Sequence, residues 1–98
     1  AKGDIVVNEI APRVHNSGHW TIEGAATSQF EQHVRAICDL PLGRTDALGK
    51  VVMKNLLGKE VLDFEQYLSD PTANYHHYGK VEPREGRKMG HVTWVNPE

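Results

Sequence analysis

The sequence predicts an α+β fold in which a capped helix is followed by a small antiparallel sheet. Three observations predict it. Ser28-Gln29-Phe30-Glu31 is a capping box, and Phe30, Val34 and Ile37 then recur at helical spacing. Three short segments, 50–57, 74–78 and 90–95, carry the branched, aromatic or alternating residues of strands. Gly- and Pro-containing stretches separate them, which suits antiparallel connections.

The elements follow in order. Residues 4–10, Asp-Ile-Val-Val-Asn-Glu-Ile, form a short β-branched run that predicts a buried strand. Lys2-Gly3-Asp4 before it has the character of a turn between two antiparallel strands, and the strand it would join is missing. The expectation is therefore that the chain is a piece of a longer protein. Residues 11–24 form an irregular polar loop, long enough to be functional. The helix from Ser28 is ended by Leu40-Pro41. Residues 42–49 connect to the strand at 50–57. Residues 63–68 are a short helix stopped before Asp70-Pro71. In the last strand Val92 and Trp94 alternate with Thr93, the pattern of a half-buried strand.

Composition excludes several classes. Ninety-eight residues hold one small domain at most, with a core that removes only about 65% of the unfolded surface from water. With 39% apolar and 24% charged residues, collagen, coiled coil and wholesale disorder are excluded. A single cysteine, Cys38, excludes an internal disulfide; its place at the helix end reads as a small buried hydrophobe. A net charge of −2 argues against nucleic acid as a partner, and no apolar run is long enough to cross a bilayer.

Two stretches carry possible chemistry. Asn8 to Trp20 gathers a carboxylate, a guanidinium, two imidazoles and two carboxamides. Glu9 offers hard oxygen to Mg²⁺, Arg13 has the planar fork that matches a carboxylate or phosphate, and His15 can donate or accept a proton near neutral pH. A strand end with a charged turn and surface histidines is the plainer reading. His15 and His19, four apart, would face one way on a helix and could hold zinc, but Asn16-Ser17-Gly18 argues against helix there. His76 and His77 are adjacent on a strand, so their rings point to opposite faces and make a poor chelate. The second stretch, residues 80–91, places Lys80, Arg84, Arg87 and Lys88 on a Gly/Pro turn able to grip a phosphate; a solvated hairpin tip is the alternative.

The string Asn8-Glu9-Ile10-Ala11-Pro12-Arg13-x-His15-Asn16-Ser17-Gly18-His19 resembles the carboxyaminoimidazole ribonucleotide synthetase family of ATP-grasp enzymes. So do Thr27-Ser28-Gln29-Phe30-Glu31-x-His33-x-Arg35-Ala36-Ile37, Tyr78-Gly79-Lys80 and Gly86-Arg87-Lys88-Met89-Gly90-His91. The resemblance spans residues 3–93. It implies that residues 1–49 are the end of an ATP-grasp domain, contributing strand, loop and helix, and that residues 50–98 are a small β-rich carboxy-terminal domain. It implies a cytoplasmic enzyme of purine biosynthesis, homodimeric at full length, that joins bicarbonate to aminoimidazole ribonucleotide at the expense of ATP. By the same resemblance Glu9 is a ligand of Mg²⁺. Arg13, His15 and Asn16 form the pocket for bicarbonate and carboxyphosphate, and Lys80, Arg87 and, less centrally, Lys88 hold the ribonucleotide's 5′-phosphate. The family's description as a carboxylase subunit adds the expectation of a lyase.

Val14 and Glu85 stand where the family commonly has proline, which leaves both turns less constrained. A second metal carboxylate and the adenine and triphosphate clamp fall outside these residues, so the chain alone is expected to be inactive. Two alternatives remain at this point: a non-catalytic structural or ligand-binding module, and another ATP-grasp purine ligase such as the formate-dependent glycinamide ribonucleotide transformylase.

Overall fold

A computed structural model describes residues 3–97. The α+β expectation holds: short helices accompany a three-stranded antiparallel sheet. The elements are helix α1 (Thr21–Gly24), helix α2 (Gln29–Ile37), strand β1 (Val51–Leu57), helix α3 (Phe64–Leu68), strand β2 (Asn74–His77) and strand β3 (Lys88–Val95). Two 3₁₀ segments, Asn16–Gly18 and Gly58–Leu62, lie before α1 and after β1.

Half of the predicted capping box forms: the Ser28 hydroxyl accepts from the Glu31 N–H at 3.1 Å, while the Glu31 carboxylate pairs with Arg35 at 2.8 Å. The helix stops earlier than Leu40-Pro41 would force. Asp39 takes a left-handed conformation (φ 54°). Its N–H donates to the Ala36 carbonyl at 3.3 Å, and the Leu40 N–H reaches back to the Arg35 carbonyl at 2.8 Å. That is a Schellman ending with aspartate in the position glycine usually fills. The apolar stripe Phe30, Val34 and Ile37 exists but is exposed among the described residues, and Cys38 is exposed with it, against the expectation of burial. A stripe is removed from water only when another element lies on it, and here only Phe30 at its start meets a neighbour, the His19 ring, while Val34 and Ile37 stay exposed.

The first predicted strand also differs. Residues 4–10 form no strand and pair with nothing among the described residues, and Ile5 is fully exposed. β-branched composition makes a segment suitable for a sheet; only a neighbouring strand makes it one. Conversely, the loop expected over 11–24 contains the 3₁₀ turn and α1, because Gln29 at the start of α2 ties it down: its side chain accepts the His15 N–H and its own N–H donates to the Thr21 hydroxyl.

The sheet order is β1-β3-β2, so β3 is central and antiparallel to both neighbours. Met89 to Thr93 are therefore buried on both faces rather than in alternation. One face carries Leu56, Val92, Tyr75 and Trp94, and Val61, Tyr67 and Met89 pack with them as the core. Each such side chain contributes about 1.5–3 kcal/mol through apolar burial. The polar tips of its aromatics are satisfied: Tyr75 donates to the Val61 carbonyl at 2.7 Å, and Trp94 Nε1 donates to Asp70 at 3.3 Å. The opposite face carries Asn55, His76, His91 and Thr93, and is covered by the segment around the 3₁₀ turn and α1. Backbone bonds tie that segment down: Ala26 N–H to Asp46 at 2.9 Å and Leu48 N–H to Gly24 at 2.7 Å. Thus the segment that carries His15 and Asn16 rests on the polar face of the sheet.

Candidate active site

His15 begins the 3₁₀ turn in extended backbone conformation (φ −129°, ψ 147°) and caps it with its own ring. Nδ1 accepts the Ser17 N–H at 3.2 Å and lies 2.8 Å from Ser17 Oγ. An Nδ1 that accepts a backbone N–H carries no proton, so in the neutral ring Nε2 holds it. His15 thereby presents an exposed ring donor. Asn16, next along, donates from Nδ2 to Asn55 Oδ1 on β1 at 2.9 Å, which fixes its carboxamide from across the chain.

Gln29, the first residue of α2, binds the loop in place. Its Oε1 accepts the His15 N–H at 3.0 Å, and its Nε2 donates to the His15 carbonyl at 2.7 Å and to His19 Nδ1 at 2.8 Å. Gly18 makes room for that clasp: a Cβ there would fall 2.7 Å from Gln29 Cδ, closer than non-bonded carbons approach. Neither Gln29 nor Asn55 was singled out from the sequence. Gln29 lies inside the recognised Ser-Gln-Phe-Glu string, whereas nothing local marks Asn55.

The other candidates are dispersed. Glu9 is exposed on the unpaired segment 4–10. Arg13 is exposed, and its guanidinium donates only to the adjacent Val14 carbonyl at 3.2 Å. Among the described residues neither forms a hydrogen bond or ion pair with another candidate. At the basic turn, Lys80 Nζ donates to the Lys88 carbonyl at 2.7 Å and stands 5.7 Å from the centre of the Tyr78 ring. Arg87 and Lys88 are exposed at the entrance to β3. The turn is held by the Arg87 N–H to the Arg84 carbonyl at 3.0 Å and the Gly58 N–H to the Arg87 carbonyl at 2.8 Å. So Lys80, Arg87 and Lys88 share one turn, His15 and Asn16 share another, and Glu9 and Arg13 stand apart from both.

Between the two turns runs a layer of rings. His19 stacks on Phe30 at 5.5 Å and on His91 at 5.3 Å, and His91 stacks on His76 at 4.5 Å. His91 is 1% exposed, and its Nδ1 lies 2.7 Å from the Tyr78 hydroxyl. Burial, then the neighbouring His76 and His19, hold its pKa down to about 4, so the ring is neutral near pH 7. His19 is also shifted down, chiefly by burial. The two members of the adjacent pair diverge as expected: His76 meets Glu23 at 2.7 Å, whereas His77 lies on the other face and accepts the Gly79 N–H at 2.8 Å. His15 and His19 do not converge as a zinc pair; their Nδ1 atoms engage Ser17 and Gln29 respectively. Adjacent spacing hid the more concentrated arrangement, a cross-strand pairing of His76 with His91.

Comparison with known proteins assigns this arrangement first to a class. The ATP-grasp domain family model matches residues 1–30, and that of the phosphoribosylaminoimidazole carboxylase C-terminal domain matches residues 51–98. The chain belongs to the N5-carboxyaminoimidazole ribonucleotide synthetase family of ATP-grasp proteins. It is 53% identical over 95 residues to N5-carboxyaminoimidazole ribonucleotide synthase of Brucella melitensis, covering 97% of this chain and 26% of that protein. The crystal structure of the Thermotoga maritima synthetase is similar at a TM-score of 0.82 and 53% identity, covering 99% of this chain and 29% of the other. The synthase from Aspergillus clavatus, solved in complex with ADP and 5-aminoimidazole ribonucleotide, is similar at a TM-score of 0.81 and 43% identity, over 88% of this chain and 25% of the other. The chain thus spans about a quarter of the length of these relatives. These relatives are named synthases or synthetases, and the expectation of a lyase is corrected accordingly.

Proposed function

We propose that the full-length protein carrying this chain is an ATP-dependent ligase that converts aminoimidazole ribonucleotide, bicarbonate and ATP to carboxyaminoimidazole ribonucleotide, ADP and phosphate. Residues 1–49 supply the end of its ATP-grasp domain and residues 50–98 its carboxy-terminal domain. The protein acts in the cytoplasm as a homodimer.

A bicarbonate oxygen attacks the γ-phosphorus, the bond to the β–γ bridging oxygen breaks and ADP leaves. The resulting carboxyphosphate releases phosphate, and the substrate's amine takes up the carbon dioxide, losing a proton. Mg²⁺ supplies neutralisation of charge on the transferring phosphoryl group. Glu9 fits as one of its ligands, because an exposed carboxylate acting together with substrate phosphates is the donor set this ion takes.

The residues of this chain do the rest. Arg13 offers a planar fork to bicarbonate and the mixed anhydride. His15 donates from Nε2–H, and Asn16 adds a carboxamide. Lys80, Arg87 and Lys88 bind the 5′-phosphate from the turn, where three cations on one short segment match a dianion.

The observation that carries this reading is the fixed tautomer of His15. A ring that caps the turn, on a residue whose backbone Gln29 clasps, presents a fixed donor, which suits an intermediate that water would destroy. The test is ADP release by the full-length protein. It should require both bicarbonate and ribonucleotide, Arg13→Ala should reduce it far more than it reduces folding, and formate should not substitute for bicarbonate. Near-parental turnover in Arg13→Ala refutes the site. Bicarbonate-dependent ADP release by the 98-residue chain alone refutes the division of labour.

A further inference from the structure

Glu23, His76 and His91 come from three separate parts of the chain, and one ligand atom from each lies within 4.8 Å of the others. Glu23 Oε2 meets His76 Nε2 at 2.7 Å. Two further polar atoms of the group, Glu23 Oε1 and His91 Nε2, are buried with no hydrogen-bond partner. Each such orphan costs about 1–3 kcal/mol, and buried polar groups are rarely left in that state. Here two of them lie in one cluster, one a carboxylate oxygen and the other a ring nitrogen on a residue that is 1% exposed.

We propose that Glu23, His76 and His91 form a binding site for a transition-metal dication of the Zn²⁺ type, distinct from the Mg²⁺ position at Glu9. Two imidazoles and a carboxylate are the donor set that zinc takes when it keeps a fourth, open position. They suit Zn²⁺ better than Mg²⁺, which prefers oxygen alone.

The surroundings fit. Tyr78 stands at 2.7 Å from His91 Nδ1, where it accepts that N–H and leaves the Nε2 lone pair free, the usual outer partner of a metal-bound histidine. Burial keeps the His91 ring neutral near pH 7, as a ligand must be. A pocket of about 140 Å³ lined by His19, Phe30, Tyr78 and the two histidines gives a path in and room for a water as fourth ligand. The rings of His76 and His91 are nearly parallel (23°), so capture turns the more accessible His76 about its Cβ–Cγ bond until both Nε2 atoms converge.

The site joins α1 to β2 and β3, so an ion there would lock the loop-bearing segment onto the sheet. This inference stands apart from the proposed reaction, because its readout is the metal.

The experiment uses the full-length protein carrying this chain, stripped with chelator and then titrated with Zn²⁺ or Co²⁺ under excess Mg²⁺, which keeps oxygen-only sites filled. The parent should bind one more equivalent of Zn²⁺ than Glu23→Gln/His76→Asn, and its Co²⁺ form should show the visible bands of a four-coordinate site that the double variant lacks. Glu23→Gln alone should weaken Zn²⁺ by about 100-fold, and Tyr78→Phe by about 10-fold. Circular dichroism checks that each variant is folded, and His91 itself is left intact because it is central to the sheet. Equal Zn²⁺ stoichiometry and equal Co²⁺ spectra in parent and double variant overturn the proposal, as does a parent that binds no Zn²⁺ under these conditions, which would make a bridging water the occupant.

Discussion

Asn55 offers the sharpest test of how the carboxy-terminal sheet serves the loop. It sits on β1, and its Oδ1 accepts from Asn16 Nδ2 at 2.9 Å across 39 residues of chain, with both side chains half-buried. In Asn55→Leu the side-chain volume is roughly kept but the acceptor is lost, leaving a half-buried carboxamide N–H without its partner. Such a loss costs about 1–3 kcal/mol. If that energy is spent on holding Asn16 in its reactive position, a cost of about 1.36 kcal/mol per tenfold gives a fall in kcat of about 5- to 160-fold. Asn55→Asp keeps the accepting oxygen and should retain most of the parent's rate. The assay is steady-state ADP release by the full-length protein, with thermal unfolding followed in parallel. A merely structural role would lower the melting temperature of Asn55→Leu while leaving kcat of the folded fraction unchanged. That result, or an Asn55→Asp as slow as Asn55→Leu, refutes the reasoning.

Gly90→Ala should disrupt the sheet, because a Cβ at Gly90 would collide with the His76 carbonyl oxygen and crowd His77 Cα at 3.4 Å; hydrogen exchange should show β2 opening while α2 keeps its protection, and unchanged β2 protection would contradict this. Ser28→Ala removes the cap of α2 and should cost about 1 kcal/mol in denaturant unfolding, whereas Ser28→Asp should cost little. The Asp70 carboxyl is held below its usual range first by the Thr72 hydroxyl, then by the Thr72 and Trp94 N–H groups. A depressed folded-state pKa contributes stability that is present above the unfolded value near 3.8 and lost as pH falls through the folded one, so melting temperature measured from pH 5 downward should fall less steeply in Asp70→Asn than in the parent.

What was legible in the sequence is what local chemistry decides. Ser28 and Glu31 are three residues apart, and a hydroxyl at that spacing meets the N–H it caps whatever the rest of the chain does. The three strands after residue 49 carry their own branched and aromatic signal, and β1 begins within one residue of its expected place. The motif around Arg13, His15 and Asn16 was equally plain, because its residues run in one continuous string.

What only the tertiary structure decided depends on distant partners. Residues 4–10 have strand composition yet no ladder, since a strand's hydrogen bonds belong to its neighbour. The order β1-β3-β2 made β3 a doubly buried centre and put His76 opposite His91, a pairing invisible in the adjacent His76-His77. Glu23 reaches His76 across 53 residues, and Asn16 reaches Asn55 across 39. No short-range periodicity encodes such contacts, because they are fixed by which sheet face the loop segment covers.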